Sequence, residues 1–309
     1  MRSAAGVVYQ LCVLRSCAAV TVARIAAIFR YPVKSMLGEQ VGEAQLGERG
    51  LEGDRAYAII DRHTGFVASA KHPRKWQRLL ACSASFVTSP RAGAPLPPVV
   101  IRFPDGTTAR SDAPDVDDAL SAFVGRAVSL AGSAPDAPRR EADRRAIDAT
   151  EELICEEPLA LGAPAGTFFD HAPVHFVSTT TIRHLADLHG AGCVDVCRFR
   201  PNLVIDGPDP AAAGFVEAGW LGRTMRIGAS AELRVIDPTP RCTLITLAHG
   251  DLAADPALLR TVARHSAAPS VTLRPGVVLP AVVGAYAVAA TAGPLSEGDV
   301  VTLEEPDSR

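Results

Sequence analysis

The sequence has no stretch of about 20 uninterrupted apolar residues, the length a helix needs to cross a bilayer, so no membrane partner is expected. It has no excess of positive charge either. Its 31 Lys and Arg against 34 Asp and Glu leave a formal net charge of −3, which gives no electrostatic reason to expect nucleic acid. A net value averages over the surface and still allows a local basic pocket. The seven cysteines (Cys12, Cys17, Cys82, Cys155, Cys193, Cys197 and Cys242) are odd in number and scattered, unlike a disulfide framework. That usage points to a reducing compartment and a cytoplasmic location. Phosphate loops of the G-x-G-x-x-G or Walker kind are missing, and no internal repeat is visible.

What is present is an ordinary globular composition, 48% apolar and 21% charged, on 309 residues, enough for two domains. Residues 1–20 carry an apolar run broken by Arg15 and read as an extension rather than an export signal. Thr21–Tyr31 (TVARIAAIFRY) then predicts a strand ending at Pro32, and Arg55–Asp61 with Phe66–Ala68 predicts a hairpin. Short strands follow at Ala81–Thr88, Val99–Phe103 and Thr107–Arg110, with a helix over Asp115–Val124. Ala131–Ala149 is Pro-rich and charged and reads as a linker. Beyond it come a strand at Val174–Ser178, a helix over Thr179–His189, further short strands including Thr243–Leu247, and helix in the second half of Leu252–Arg264. The expected fold is mainly β with some α. It has an N-terminal β-barrel-like domain over 21–130, a linker over 131–150, and a second β-barrel domain with peripheral helices over 151–305.

Five segments carry candidate chemistry. In Pro238–Thr246 (PTPRCTLIT), Cys242 follows Arg241. A cysteine is commonly a small buried hydrophobe, but a neighbouring guanidinium favours the thiolate, which ligates soft metals. In Arg198–Asn202 (RFRPN), two guanidiniums suit phosphate oxygens and Asn202 suits a heterocycle edge; a solvated basic loop reads equally well. Tyr31–Ser35 (YPVKS) presents Lys34 and Ser35 at a loop, either for an anion or simply to solvent. Gly50–Arg55 (GLEGDR) leads into Asp54 and Arg55, and Phe169–Pro173 (FDHAP) holds Asp170 and His171. Cys193-x3-Cys197 near His189 offers a zinc reading without an obvious fourth ligand. Together Lys34, Arg55, Arg200 and Arg241, with one cysteine, are what a pocket for a phosphorylated, metal-bearing ligand requires.

With VHFVSTTTIRHL (Val174–Leu185), VDVCRFRPNLVID (Val194–Asp206), FVEAGWLGRTMRIG (Phe215–Gly228) and GDVVTL (Gly298–Leu303), the chain resembles the MOSC family, named for the C-terminal domain of molybdenum cofactor sulfurase. Within it, it looks like two-domain members such as the mitochondrial amidoxime-reducing component and its bacterial relatives. The resemblance implies a molybdenum cofactor (Mo-molybdopterin) held between two domains, with the Cys242 thiolate on the metal. It gives Arg200 and Asn202 to the pterin and its phosphate, Lys34, Ser35 and Arg55 likewise, and places Asp170 near the metal beside Arg241. Asp170 is then expected to orient metal-bound water or assist proton transfer. Where relatives often carry hydroxyl residues after the aspartate, this chain has His171 and Ala172. That change removes hydrogen bonds to the cofactor or passes them to His171. After Cys242 it reads Ile245-Thr246-Leu247-Ala248, where relatives tend to have T-T-V-D.

The implied reaction is reductive oxygen removal from a small N-hydroxylated substrate. The alternative is a carrier of sulfur or of the cofactor without small-molecule turnover. A general association with pyridoxal phosphate binding also travels with the family. Cys242 is the last cysteine, so electrons are expected from a separate protein rather than from a four-cysteine iron–sulfur motif further along.

Overall fold

The computed structural model describes residues 21–159, 162–190, 192–207 and 213–304. The reading of residues 1–20 lies outside them. Mainly β structure dominates, and its centre is a closed barrel of seven strands. These are β1 (Thr21–Arg30), β2 (Val174–Ser178), β3 (Leu203–Asp206), β4 (Thr224–Ile227), β5 (Ala231–Pro240), β6 (Val282–Thr291) and β7 (Val300–Leu303). Around the barrel they run β3–β2–β6–β5–β4–β7–β1, and β1 returns to β3 to close it. Only β2 and β3 are parallel, and the helix Thr179–His189 makes the crossover a parallel pair needs. The Ser178 hydroxyl caps that helix by accepting from Thr181 N–H, and Gly190 ends it at φ +71°. The capping group is therefore the strand's last serine rather than the threonines that follow.

In β1, Ile25 and Ile28 are both buried although they stand three residues apart. Strict alternation would turn one of them outward. A register shift between Ile25 and Ala27, opposite β3, inserts the extra residue and brings Ile28 back to the core. The barrel core also holds Phe176, Leu203, Met225, Leu233, Val301 and Leu303, with Phe176 stacked on Trp220 at 5.7 Å. Each such fully buried side chain contributes roughly 1.5–3 kcal/mol. A second core, including Val33, Met36, Trp76, Leu79, Ile101 and Leu120, belongs to the N-terminal unit and its helix Val116–Val124.

Four expectations change. The Arg55–Asp61 strand shortens to Ala58–Asp61. Its paired strand is Val128–Ala131, and the expected hairpin return survives only as a bridge from Ile60 to Val67. The stretch read as a linker contains the strand Arg139–Asp143, paired with Ile154–Pro158. Thr243–Leu247 is not a strand: Thr243–Thr246 forms a 3₁₀ turn directly after Cys242. Finally, a boundary at 131–150 assigns β1 to the N-terminal unit, but its hydrogen bonds to β3 and β7 build it into the barrel of the C-terminal half.

Gly284, within β6, has φ +76°, and a Cβ there would stand 2.3 Å from the Phe176 carbonyl oxygen and 2.7 Å from His175 Nε2. Gly284→Ala is expected to cost more than about 2 kcal/mol in a urea denaturation series, because left-handed strain and a backbone clash combine. Gly276→Ala, at φ +78° but facing open space, isolates the strain alone. Equal losses for the two variants would show that the clash is relieved.

Candidate functional site

Where the N-terminal unit meets the barrel there is an open cleft. The N-terminal unit lines it with Lys34, Ser35, Arg55, Ser69 and Lys71; the barrel side contributes Asp170, His175, Arg198, Arg200, Asn202, Arg241, Cys242 and Tyr286, among others. Of the candidates read from sequence, Lys34, Ser35, Arg55, Asp170, Arg200, Asn202, Arg241 and Cys242 share this wall. His171 is not part of it. Its Nε2 is 3.1 Å from Thr272 Oγ1, its ring meets Tyr286 edge-on at 5.4 Å, and its Nδ1 is buried without a partner among the described residues. Burial pushes its pKa down. Cys82 belongs to the N-terminal core. His189 bonds to Asp255 and Thr261, and no cluster of three or more His, Cys, Asp or Glu suited to a metal occurs among the described residues.

The cleft is strongly positive. Six cations line it against one carboxylate, Asp170. Asp170 is met by Lys34 Nζ at 2.6 Å, Lys71 Nζ at 3.0 Å and the Arg140 guanidinium. Although desolvation opposes it, the charges of Arg140, Lys34 and Lys71 hold the Asp170 carboxyl well below its ordinary range. In the cleft it anchors these three cations.

Several of the expected ligand-binding groups are engaged in holding the backbone. Arg241 donates from Nε to Val283 O and from Nη1 to Phe199 O, both at 3.0 Å, and its Nη2 meets His175 Nε2. Because a guanidinium only donates, His175 accepts at Nε2 and donates from Nδ1 to Arg200 O, as a neutral imidazole. Burial, then the Arg241 charge, holds the His175 pKa far below its usual value. Arg198 donates to the carbonyls of Ile245, Leu247 and Ala253, fixing the turn after Cys242. Asn202 accepts from His175 N–H at 3.1 Å and donates to Phe29 O at 3.3 Å, joining β1, β2 and the start of β3. Arg241 and Asn202 thus offer the cleft shape and, for Arg241, charge. Neither Arg198 nor Arg241 has a carboxylate partner among the described residues, so both charges remain unbalanced.

Ser35 (φ +66°), Arg55 (φ +48°) and Arg200 (φ +53°) are three of the five described non-glycine residues with left-handed backbone. Such strain persists where surrounding structure imposes it, and it clusters at functional sites. Nothing in the sequence marks these positions, since none is Gly or Asn. Sequence reading also missed Lys71, which has no motif around it, and Arg140, which was hidden in the supposed linker. Tyr31, read only as a strand end, has the Arg55 and Arg200 guanidiniums over its ring at 4.4 and 4.3 Å.

Burial pushes the Lys34 ammonium down to about 8, against the opposing pull of Asp170. A bound dianion would raise that value, so binding is strongest below about pH 8 and weakens above it, by at most roughly tenfold per pH unit. Calorimetric titration of sulfate, a dianion throughout the range, is expected to show this decline from about pH 7 to about pH 9.5, and Lys34→Met is expected to remove it. An affinity independent of pH in the unaltered protein would show that Lys34 does not feel the anion.

The sequence profile of the MOSC domain matches residues 164–302, and that of the MOSC N-terminal beta barrel domain matches residues 22–87, together about two thirds of the chain. No curated protein matches it. Among solved structures, the YUAD protein of Bacillus subtilis is similar at 11% identity, over 92% of this chain and 96% of that one, with a TM-score of 0.43. YiiM from Geobacillus stearothermophilus is similar at 15% identity, over 54% of this chain and 76% of that one, with a TM-score of 0.31. The MOSC domain is of the molybdenum cofactor sulfurase type, which supports a molybdenum-cofactor-binding or sulfurase-like function. Matched by both profiles, in the order in which the two units follow one another, this protein belongs to the MOSC family.

Proposed function

We propose that the cleft binds a pterin-based molybdenum cofactor, with the Cys242 thiolate as the protein's ligand to the metal, and that the protein reduces N-hydroxylated compounds. The observation that carries this reading is the placing of Cys242 in a cleft lined by six cations and one carboxylate. Buried cations held by neutral carbonyls are costly unless an anion arrives, and a bulky phosphorylated ligand supplies one. No three-ligand protein cluster is present among the described residues, so a metal at Cys242 would take its other ligands from an organic group. The donor set fits: a thiol for a soft metal and guanidiniums for phosphate, in a cleft open to solvent.

Bound there, the cofactor would supply two-electron oxygen-transfer chemistry, which side chains lack. The protein's residues would do the rest. Cys242 would hold the metal, on a loop fixed by Arg198 and Arg241. Arg55 and Arg200 would take the phosphate, and Asp170 would keep Lys34, Lys71 and Arg140 charged and in place. The overall change would take an N–OH compound, two electrons and two protons to the N–H compound and water, with the electrons coming from a separate protein.

The test is metal and pterin analysis of protein made in a molybdopterin-competent host, where molybdenum and pterin are expected in equal amounts with the polypeptide. A persulfide on Cys242 with neither metal nor pterin would move the assignment to the sulfur carrier.

A further inference from the structure

The six cations lining the cleft are not equivalent. Lys34 and Lys71 are tied to Asp170, while Arg198 and Arg241 direct their donors at main-chain carbonyls. Arg55 and Arg200 remain. They too are engaged, Arg55 with Asp54 and, from Nη2, with Arg200 O at 3.4 Å, and Arg200 with Met36 O at 2.6 Å, but they share a feature the other four lack. Both guanidiniums lie over the ring of Tyr31, 4.4 and 4.3 Å from its centre. The pair is under strain, since both residues hold left-handed backbone. Burial together with the charge of Arg55 lowers Arg200 to about 10. The negative face of an aromatic ring attracts both guanidiniums, and the Asp54 carboxylate counters the charge of Arg55. Tyr31 is 4% exposed and its hydroxyl is buried with no hydrogen-bond partner among the described residues. The ring is therefore in use and the hydroxyl is not.

We propose that Tyr31 is a positioning residue whose ring holds Arg55 and Arg200 together as a two-guanidinium clamp for a phosphate group. The proposal rests on the cofactor reading only for the identity of the molecule that carries the phosphate. Guanidiniums held over one ring are pre-organised forks, so little freedom is lost when the phosphate arrives. A lysine has the charge but neither the plane nor the fork.

The experiment is calorimetric titration of the full chain, free of cofactor, with inorganic phosphate. Tyr31→Phe is expected to bind within about twofold of the unaltered protein, and Tyr31→Leu at least about tenfold more weakly, with cooperative unfolding retained in both. Phenylalanines of increasing fluorination at position 31 keep the shape and drain the ring's negative face, and are expected to weaken binding stepwise. A merely structural ring would show no such series. Should Tyr31→Leu fail to fold, Arg55→Lys and Arg200→Lys test the same point, each expected to weaken phosphate by about fivefold or more. Binding unchanged in Tyr31→Leu, in the fluorinated series or in either lysine variant would overturn the clamp, as would an unaltered protein that does not bind phosphate. Protein that binds phosphate but carries no molybdenum would leave the clamp standing and remove the cofactor reading.

Discussion

Replacing Cys242 with alanine is expected to reduce the molybdenum that co-purifies with the protein by well over tenfold, and to abolish turnover, while the unfolding midpoint stays where it was. Disturbing a group that merely orients a metal ligand typically costs about 10–100-fold in affinity, and losing the ligand proposed above should cost at least as much. The fold is expected to tolerate the change because the sulfur does not hold its own loop. Arg241, the residue before it, donates to the Val283 and Phe199 carbonyls, and Arg198 donates to the Leu247 and Ala253 carbonyls beyond it. On the proposed reading pterin content falls less than metal content, because Arg55 and Arg200 are untouched. Metal analysis, pterin fluorescence and a urea curve on the same preparation separate these effects. A variant that retained its full molybdenum would remove Cys242 from the metal.

Asp170→Asn is expected to be the more damaging change to the folded state. It leaves Lys34, Lys71 and Arg140 facing one another with their shared counter-ion gone. Breaking a buried ion pair on one side costs about 3–5 kcal/mol; a value toward the lower end is expected here, because water reaches the 30% of this side chain that is exposed. The pH dependence has a definite sign. The folded carboxyl ionises well below its ordinary value, so its contribution to stability is complete above the unfolded value, near 4, and is lost as pH falls toward the folded one. Urea midpoints at neutral pH should therefore differ widely between the two proteins and converge in acid. Parallel curves at every pH would show that Asp170 is not the counter-ion of this cluster.

Much of the barrel was legible because its strands are short apolar runs between turn residues. Val174–Ser178 and the helix after it could be read to the residue, since five consecutive buried positions give way to a 3.6-residue period. Arg139–Asp143 was not legible. It has one apolar residue in RREAD, and it becomes a strand through pairing with Ile154–Pro158 and through Asp170 and Glu157, which meet Arg140 from elsewhere in the chain. The same limit applies at the cleft. YPVKS, GDR, RFRPN and RC each announced a charged or nucleophilic group, and their residues do line one wall. What each group does there depends on partners far along the chain. Asn202 joins strands, Arg241 latches a loop, His171 bonds Thr272, and Tyr31 carries two guanidiniums. Hydrogen bonds between residues so distant in sequence leave no local pattern to read.

The route by which β1 completes the barrel has a consequence for synthesis. A ribosome releases Thr21–Arg30 early, but the neighbours of this strand, β3 and β7, are translated only after the whole N-terminal unit has emerged. Ile28–Arg30 can pair early with Glu39–Val41, but the opposite edge of this apolar ribbon stays bare until Asp206 has left the exit tunnel, and Thr21–Arg24 wait for Leu303. Pairings between segments far apart in sequence close slowly. The nascent chain is therefore exposed to adhesion for most of its translation, and holding chaperones should matter more to this protein than to one whose barrel strands follow one another in order.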